Sequence, residues 1–386
     1  MERDQRRATA RSRFARLAVC ILVVPLVAAA DEADGADRII LRNLDVITGK
    51  TVVGFDEDGV RMDDATRITW DEIERGRIDP ERQAAFDRML EQLGTPLYRI
   101  RQRLGVGDYR GLLEPATELY PRFAGRGSST AYMVAQSLMW ARLAVGHREQ
   151  AVEPYMRCYT YLRNVAPVDL TLPGNRRLRF DRETGMSPEL LPIWFDADAA
   201  RDALPGVLKA ITEMPAPRPE GTRVYYGTLA LSAGAAEQGV SVLRGIEGRY
   251  PSLAELREIA AAQREVQNGA SGPAVEALAA KVDNLSAANK PLALYWLGMA
   301  RLTSHNRSVR RDGILRLLHL PAIYGRQAPE LAAAALYKSM TTFAAWQDEN
   351  ARSALRRELV EQYSQTYHAA KAMAVESAEQ TNGNTQ

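Results

Sequence analysis

Residues 130–163 read TAYMVAQSLMWARLAVGHREQAVEPYMRCYTYLR. Apolar side chains recur at helical spacing on both sides of Val145-Gly146-His147. The stretch therefore predicts two helices, 130–144 and 148–163, joined by a tight turn. Gly146 supplies the left-handed backbone that such a turn needs, and Ala151 is small enough to let the second helix approach the first. Residues 222–245, TRVYYGTLALSAGAAEQGVSVLRG, repeat the device. Gly227 is the small residue of the first helix, Gly234 marks the turn, and Gly239 is the small residue of the second.

Outward from these two hairpins the helical pattern continues. It covers residues 81–93, 100–107 and 109–120, the last ended by Pro121, and resumes by Asp196 after a break. Further helices are expected over 253–267, 274–285, 291–302, 309–318, 329–345 and 350–373. Pro167, Pro173, Gly174 and Pro188 interrupt the pattern, so an irregular insertion is expected near 164–188. The helical domain is assigned to 80–375, with a disordered polar tail over 376–386.

The spacing of Gly227, Gly234 and Gly239 resembles the tetratricopeptide repeat. Gly107-Asp108-Tyr109 with Leu119-Tyr120-Pro121 is similar to the second half of one such unit. Tyr295-Trp296-Leu297-Gly298 is similar to a first helix. Leu336-Tyr337 through Ala354 to Leu359-Val360-Glu361-Gln362-Tyr363 is similar to a divergent copy. The resemblance covers 96–163 and 222–373 in interrupted form. It implies a mainly α fold, an α-α superhelix of helical hairpins, with Gly298 and Ala354 as further packing positions. It also implies a surface that binds proteins or peptides. An α-α superhelix outside that family would share the architecture, because stacked pairs bury faces that none can bury alone.

Before the helices, residues 38–79 change to short β runs: Ile39-Leu41, Thr51-Phe55, Val60-Met62 and Arg67-Trp70. Asp58-Gly59 is a hairpin signal and Thr48-Gly49-Lys50 a second turn. Asp71-Glu72-Ile73 reads as a helical turn. Three or four strands in so short a span suggest a small SH3-like β module that packs on the neighbouring helices.

The N-terminus carries six Arg within residues 1–16 and then an uncharged run, Leu17–Ala30, ending in Ala28-Ala29-Ala30. A basic start, a short apolar run and small residues at its end define a signal peptide over 1–30, cleaved near Ala30. Fourteen residues fall short of the roughly 20 a spanning helix needs, so a membrane role is expected only through an uncleaved signal. Residues 31–37 form an acidic linker expected to be disordered. Without 1–30 the chain has 44 Lys+Arg against 46 Asp+Glu, a balance that argues against general nucleic-acid binding. An exported protein, periplasmic or secreted, is expected.

Reactive constellations are not found. The four His (147, 305, 319 and 368) have no helical ligand spacing, and Cys158 is the one cysteine after residue 30. It falls at an apolar helical position and reads as buried and inert. No metal or cofactor is expected. Gly49-Lys50-Thr51 lacks the first glycine of a phosphate loop, since Leu44 stands there. Asp56-Glu57-Asp58-Gly59 reads as a turn rather than a calcium loop, and Asp196 and Asp198 as helix-start partners. Arg176, Arg177, Arg179 and Phe180 form the one local basic patch with an aromatic; they are candidate partner-binding residues, with a solvated loop balanced by Asp181 and Glu183 as the plain alternative. Most of Tyr132, Trp140, Tyr155, Tyr159, Tyr226, Trp296 and Trp346 fall at core spacing.

The expected function is a non-enzymatic scaffold that binds a protein or peptide partner in the cell envelope. The alternatives are an envelope hydrolase with a superhelical body, which would need an acid of raised pKa in a cleft, and a lipid or small-molecule binder within the superhelix. The sequence does not set the oligomeric state.

Overall fold

The structure, a computed structural model, describes residues 37–164 and 176–383, with side-chain surroundings as far as 375. The expected signal peptide, residues 31–36, the first half of the insertion and residues 384–386 lie outside the described residues.

The described chain opens with six strands: β1 (Arg38–Leu41), β2 (Val46–Ile47), β3 (Val52–Asp56), β4 (Gly59–Met62), β5 (Arg67–Ile68) and β6 (Ile73–Arg77). They form two three-stranded antiparallel sheets, ordered β2-β1-β6 and β3-β4-β5. The count exceeds the three or four expected. β2 and β5 have two residues each, too few to show a period. β6, IERGR, carries one apolar residue, where the sequence suggested only a turn. Asp37, expected in the linker, belongs to the module: its Oδ2 accepts the Val52 N–H at 2.6 Å and the side chain is buried.

The remainder is helical. α1 (Pro80–Met89) passes through a widened turn at Leu90–Gly94 into α2 (Thr95–Val106). There follow α3 (Leu113–Phe123), α4 (Ser129–Ala144), α5 (Arg148–Asn164), α6 (Ala197–Glu213), α7 (Gly221–Ser232) and α8 (Ala236–Arg244). Then come α9 (Pro251–Gln267), α10 (Pro273–Lys281), α11 (Lys290–Leu302) and α12 (Arg307–Tyr324). α13 (Pro329–Ala345), α14 (Glu349–Gln362) and α15 (Tyr367–Gly383) end the described chain. Each helix from α3 to α8 packs on the next, as does each from α9 to α14. α9 also reaches α7 and α11, and α15 returns to α13. This is a succession of packed helix pairs.

Small residues set how closely two of these pairs approach. A Cβ on Gly227 would lie 2.6 Å from Leu243 Cγ and 3.2 Å from the Gly239 carbonyl oxygen; one on Gly239 would lie 2.7 Å from the Gly227 oxygen. The same reciprocal contact joins α11 to α12. A Cβ on Gly298 would meet Leu317 at 2.8 Å, and one on Gly313 would meet the Gly298 oxygen at 3.0 Å. Ala151 is fully buried between α4 and its neighbours. Gly234 turns with φ +83° and open space around it, whereas Gly146, φ +81°, also abuts the Tyr367 backbone.

Three helix expectations need correction. Pro121 does not end α3; it sits in the last turn, where burial of Tyr120 and Phe123 holds the helix despite the lost N–H. Residues 350–373 are not one helix. They divide at Tyr363–Thr366, where Thr366 Oγ1 accepts the Ala369 N–H at 3.4 Å and starts α15. Ala354 is exposed, because α14 turns Leu355 and Leu359 toward α13 and leaves Ala354 on the outer face. In addition α15 continues to Gly383, through most of the segment assigned to a tail.

The β module is joined to the helices through aromatic rings. Trp70 is fully buried against Phe86 of α1, ring centroids 5.2 Å apart, and Phe55 meets both rings edge-on. Trp70 Nε1 donates to the Asp56 carbonyl at 2.7 Å. Asp58, at the β3–β4 turn, takes Arg126 at 2.9 Å and the Ser128 hydroxyl, which ties the turn to the start of α4. Lys50 pairs with Asp64 at 2.6 Å in the neighbouring turn.

Candidate functional site

The four residues of the basic patch go to different places. Phe180 is half-buried with its ring edge-on to Tyr159, centroids 5.2 Å apart. Arg179 pairs with Glu189 at 2.6 Å. Arg177 is exposed. Arg176 lays its guanidinium over the buried Trp140 ring at 3.9 Å and near Tyr109 at 5.4 Å. The patch is thus divided, and Arg176 alone points to a site.

Arg176, Arg177, Arg179 and Asp181 to Glu183 are exposed, as a solvated loop would be, but the stretch that follows is held against the helices. Tyr155 and Tyr159 on α5 donate to the Gly185 and Arg182 carbonyls at 2.7 and 2.9 Å. Tyr225 on α7 accepts the Ser187 N–H at 3.0 Å, and Trp194 donates to Thr228 at 3.0 Å. Asp181 serves its own turn, accepting from the Thr184 backbone at 2.7 Å. Leu190, Ile193 and Trp194 are buried. Tyr132, Tyr155, Tyr159 and Tyr226 are buried as expected, and the hydroxyls of Tyr155 and Tyr159, with that of Tyr225, hold the insertion in place.

Held in this way, the insertion forms one wall of a polar cleft of about 330 Å³. Tyr109, the α4 end, Arg148 at the first position of α5, and Arg176 and Glu189 of the insertion line one side. Pro329 and Glu330 at the start of α13 and the 362–366 connection before α15 line the other. Three helices therefore begin at one cavity, and the positive ends of their dipoles make it favourable to negative charge. Elements from both halves of the helical array meet there.

The charged groups of the cleft are incompletely satisfied. Arg148 is 4% exposed, donates to the Leu191 carbonyl at 3.0 Å, and has no partner at its buried Nε. No carboxylate lies within ion-pair distance of either Arg148 or Arg176 among the described residues. Glu189 is engaged on both oxygens, by Arg179 at 2.6 Å and the Ser187 hydroxyl at 2.8 Å. Glu149 caps α6, its Oε1 accepting the Phe195 and Asp196 N–H groups at 2.6 and 3.1 Å. Glu330 is half-buried as a residue, but its Oε2 is sealed from solvent without a partner. Burial raises the Glu330 pKa; Arg148 and the Tyr367 N–H oppose the rise and Glu149 adds to it.

Arg148, Glu189 and Glu330 were missed by sequence reasoning. Each stands at a helix start or inside an irregular segment, where charged residues are ordinary, and only the folding of distant segments brings them together. A second, larger hollow of about 490 Å³ is apolar, floored by Leu231, Val240, Leu243 and Ala260 beside Arg244 and Arg264.

Among the described residues no three His, Cys, Asp or Glu cluster to hold a metal, and no helix is long and apolar enough to cross a membrane. His368 is buried among Phe195, Tyr337 and Tyr367. Cys158 is fully buried, and burial pushes its thiol up. No protein-family model, curated protein or solved structure matches the chain.

Proposed function

We propose that this chain is an exported, non-enzymatic interaction scaffold: a tetratricopeptide-like α-α superhelix, headed by an SH3-like β module, that holds a protein or peptide partner in the cell envelope. The observation that carries the reading is the polar cleft between the two halves of the array. It gathers a buried Arg148 with an unpartnered Nε, Arg176 spread over Trp140, and a sealed Glu330 oxygen. Polar groups left in this condition at a cleft are open to water or to a bound ligand. The reciprocal glycine contacts of α7–α8 and α11–α12 support the hairpin architecture, and the 1–30 signal supports export. Purification of the tagged protein from its own envelope, followed by mass spectrometry, tests the reading. A stoichiometric partner that is lost from Arg176→Asp supports it. A partner-free protein overturns it.

The apolar hollow between α7, α8 and α9 favours a second reading, a lipid or small-molecule binder. Recovery of a bound lipid after organic extraction of the native protein would select it. Glu330 meets the requirement of the hydrolase reading for a cleft acid of raised pKa, but the neighbouring Glu189 has both oxygens occupied and is not free to act as its partner carboxylate.

A further inference from the structure

We propose that the polar cleft is a carboxylate-binding site, built by Arg148 and Arg176 and tuned by Glu330. The ligand group is one carboxylate, either at the C-terminus of a peptide or on a free small acid. The inference stands on the cleft itself and does not require the scaffold reading.

Charge decides that an anion belongs here. Arg148 and Arg176 line one cavity, and among the described residues neither has a carboxylate within ion-pair distance. A guanidinium as buried as Arg148 is matched by charge-assisted hydrogen bonds in most folded proteins. Here one nitrogen donates to the Leu191 carbonyl and Nε donates to nothing. The starts of α5, α13 and α15 turn the positive ends of their helix dipoles to the same cavity.

The acids nearby decide which anion. Glu189 and Glu330 line the cleft and Glu149 acts on Glu330 from beside it, so a doubly charged phosphate would be repelled more than a singly charged anion. A single flat carboxylate matches the planar fork of a guanidinium and brings one charge. Glu330, whose burial favours the protonated form, then sets no second negative charge beside the incoming carboxylate. The groups facing Glu330 are Arg148 and Glu149 of α5, Arg176 and Glu189 of the insertion, and Tyr363 and Tyr367 around the α15 start. Of the groups of the cleft, Glu330 is the carboxyl whose protonated form burial favours. A cavity of about 330 Å³ admits a group the size of one residue or a small diacid.

The test is calorimetry and thermal melting of the purified full chain with three probes: succinate, acetyl-trialanine as the free acid, and the same peptide as its amide. A free acid that binds saturably and raises the melting temperature, with the amide at least tenfold weaker, is the expected result. Succinate binding alone assigns the site to small acids, and peptide-acid binding alone to peptide C-termini. Equal binding of acid and amide, or no binding of any probe, overturns the proposal. Arg176→Gln should weaken the acid at least tenfold, and unchanged affinity there also overturns the proposal. Arg148→Gln should abolish binding. If that variant does not fold, Glu330→Gln carries the decision. Wild-type affinity should fall as pH rises and Glu330 ionises, whereas Glu330→Gln should bind with no such dependence. A captured protein partner that ignores all these changes would leave the scaffold standing and this site refuted.

Discussion

At the scale of single residues, the chain separates positions where one methyl group matters from positions where it does not. Gly227 and Gly239 face each other so closely that any side chain on either must push backbone or Leu243 aside. Gly227→Val should therefore cost about 1–3 kcal/mol, the usual range for overpacking. Ala354→Leu, on the exposed face of α14, should stay within about 0.5 kcal/mol of the parent. Urea denaturation of the two variants checks both. His368 offers a second test. Burial among rings, then the charges of Lys338 and Lys371, lower its pKa to about 3 from the ordinary 6.5. Between those values the unfolded chain takes up a proton that the folded chain refuses. Stability should therefore be undiminished by this group above about pH 6.5 and fall on acidification through the window, with a slope up to about 1.4 kcal/mol per pH unit. His368→Phe should flatten that part of the profile in pH-dependent melts; an unchanged slope would remove His368 as its source.

At the scale of elements, the β module should depend on its helical neighbour. Its largest buried ring, Trp70, is closed over by Phe86, which also fills the space that a side chain at Gly76 would need. A 37–79 fragment lacks that cover and should be unfolded by circular dichroism, while Phe86→Ala in the whole chain should cost about 3–5 kcal/mol. The same elements show what sequence can and cannot disclose. The α4–α5 and α7–α8 hairpins were legible because a turn glycine and a small residue sit at fixed offsets within some thirty residues of chain. β6 was hidden because its alternation rests on Ile73 alone. The division of α14 from α15 was hidden because the apolar period runs across it and only Thr366, an ordinary polar residue in sequence, carries the cap. Gly298 was legible as a packing residue but its partner, Gly313, was not, since reciprocity is a property of two packed helices. The cleft was legible only at Arg176. Its other members span 257 positions, from Tyr109 to Thr366, and no local pattern connects them.

At the scale of the whole molecule, the array is closed by contacts between distant helices. The α4–α5 turn at Gly146 lies against the Tyr367 backbone, and Phe195, just before α6, stacks on Tyr367 at 6.2 Å and meets His368 at 4.5 Å. The apolar core is uneven along this course. One large cluster runs from the β module to α7, a second from α7 to α13, and a third, much smaller, holds α13 to α15 around Leu336, Met340 and Leu359. In a chain of nearest-neighbour pairs, the segment with least buried surface opens first. α14 and α15 should therefore exchange their amide hydrogens at a lower opening free energy than α4 and α5. Phe195 is half-buried and shared between the insertion and α15. Its ring also meets Tyr295 of α11 edge-on, so Phe195→Ala should lower the opening free energy of α15 by about 1–3 kcal/mol, loosen α11 as well, and leave α2 and α3 unchanged. Hydrogen exchange read by mass spectrometry resolves the helices separately. Equal exchange changes in all helices would mean that the array unfolds as one unit and that the third cluster is no weak point. A ligand in the cleft bridges α5 and the connection before α15, so it should slow exchange in α15 most, by the factor its concentration over Kd sets.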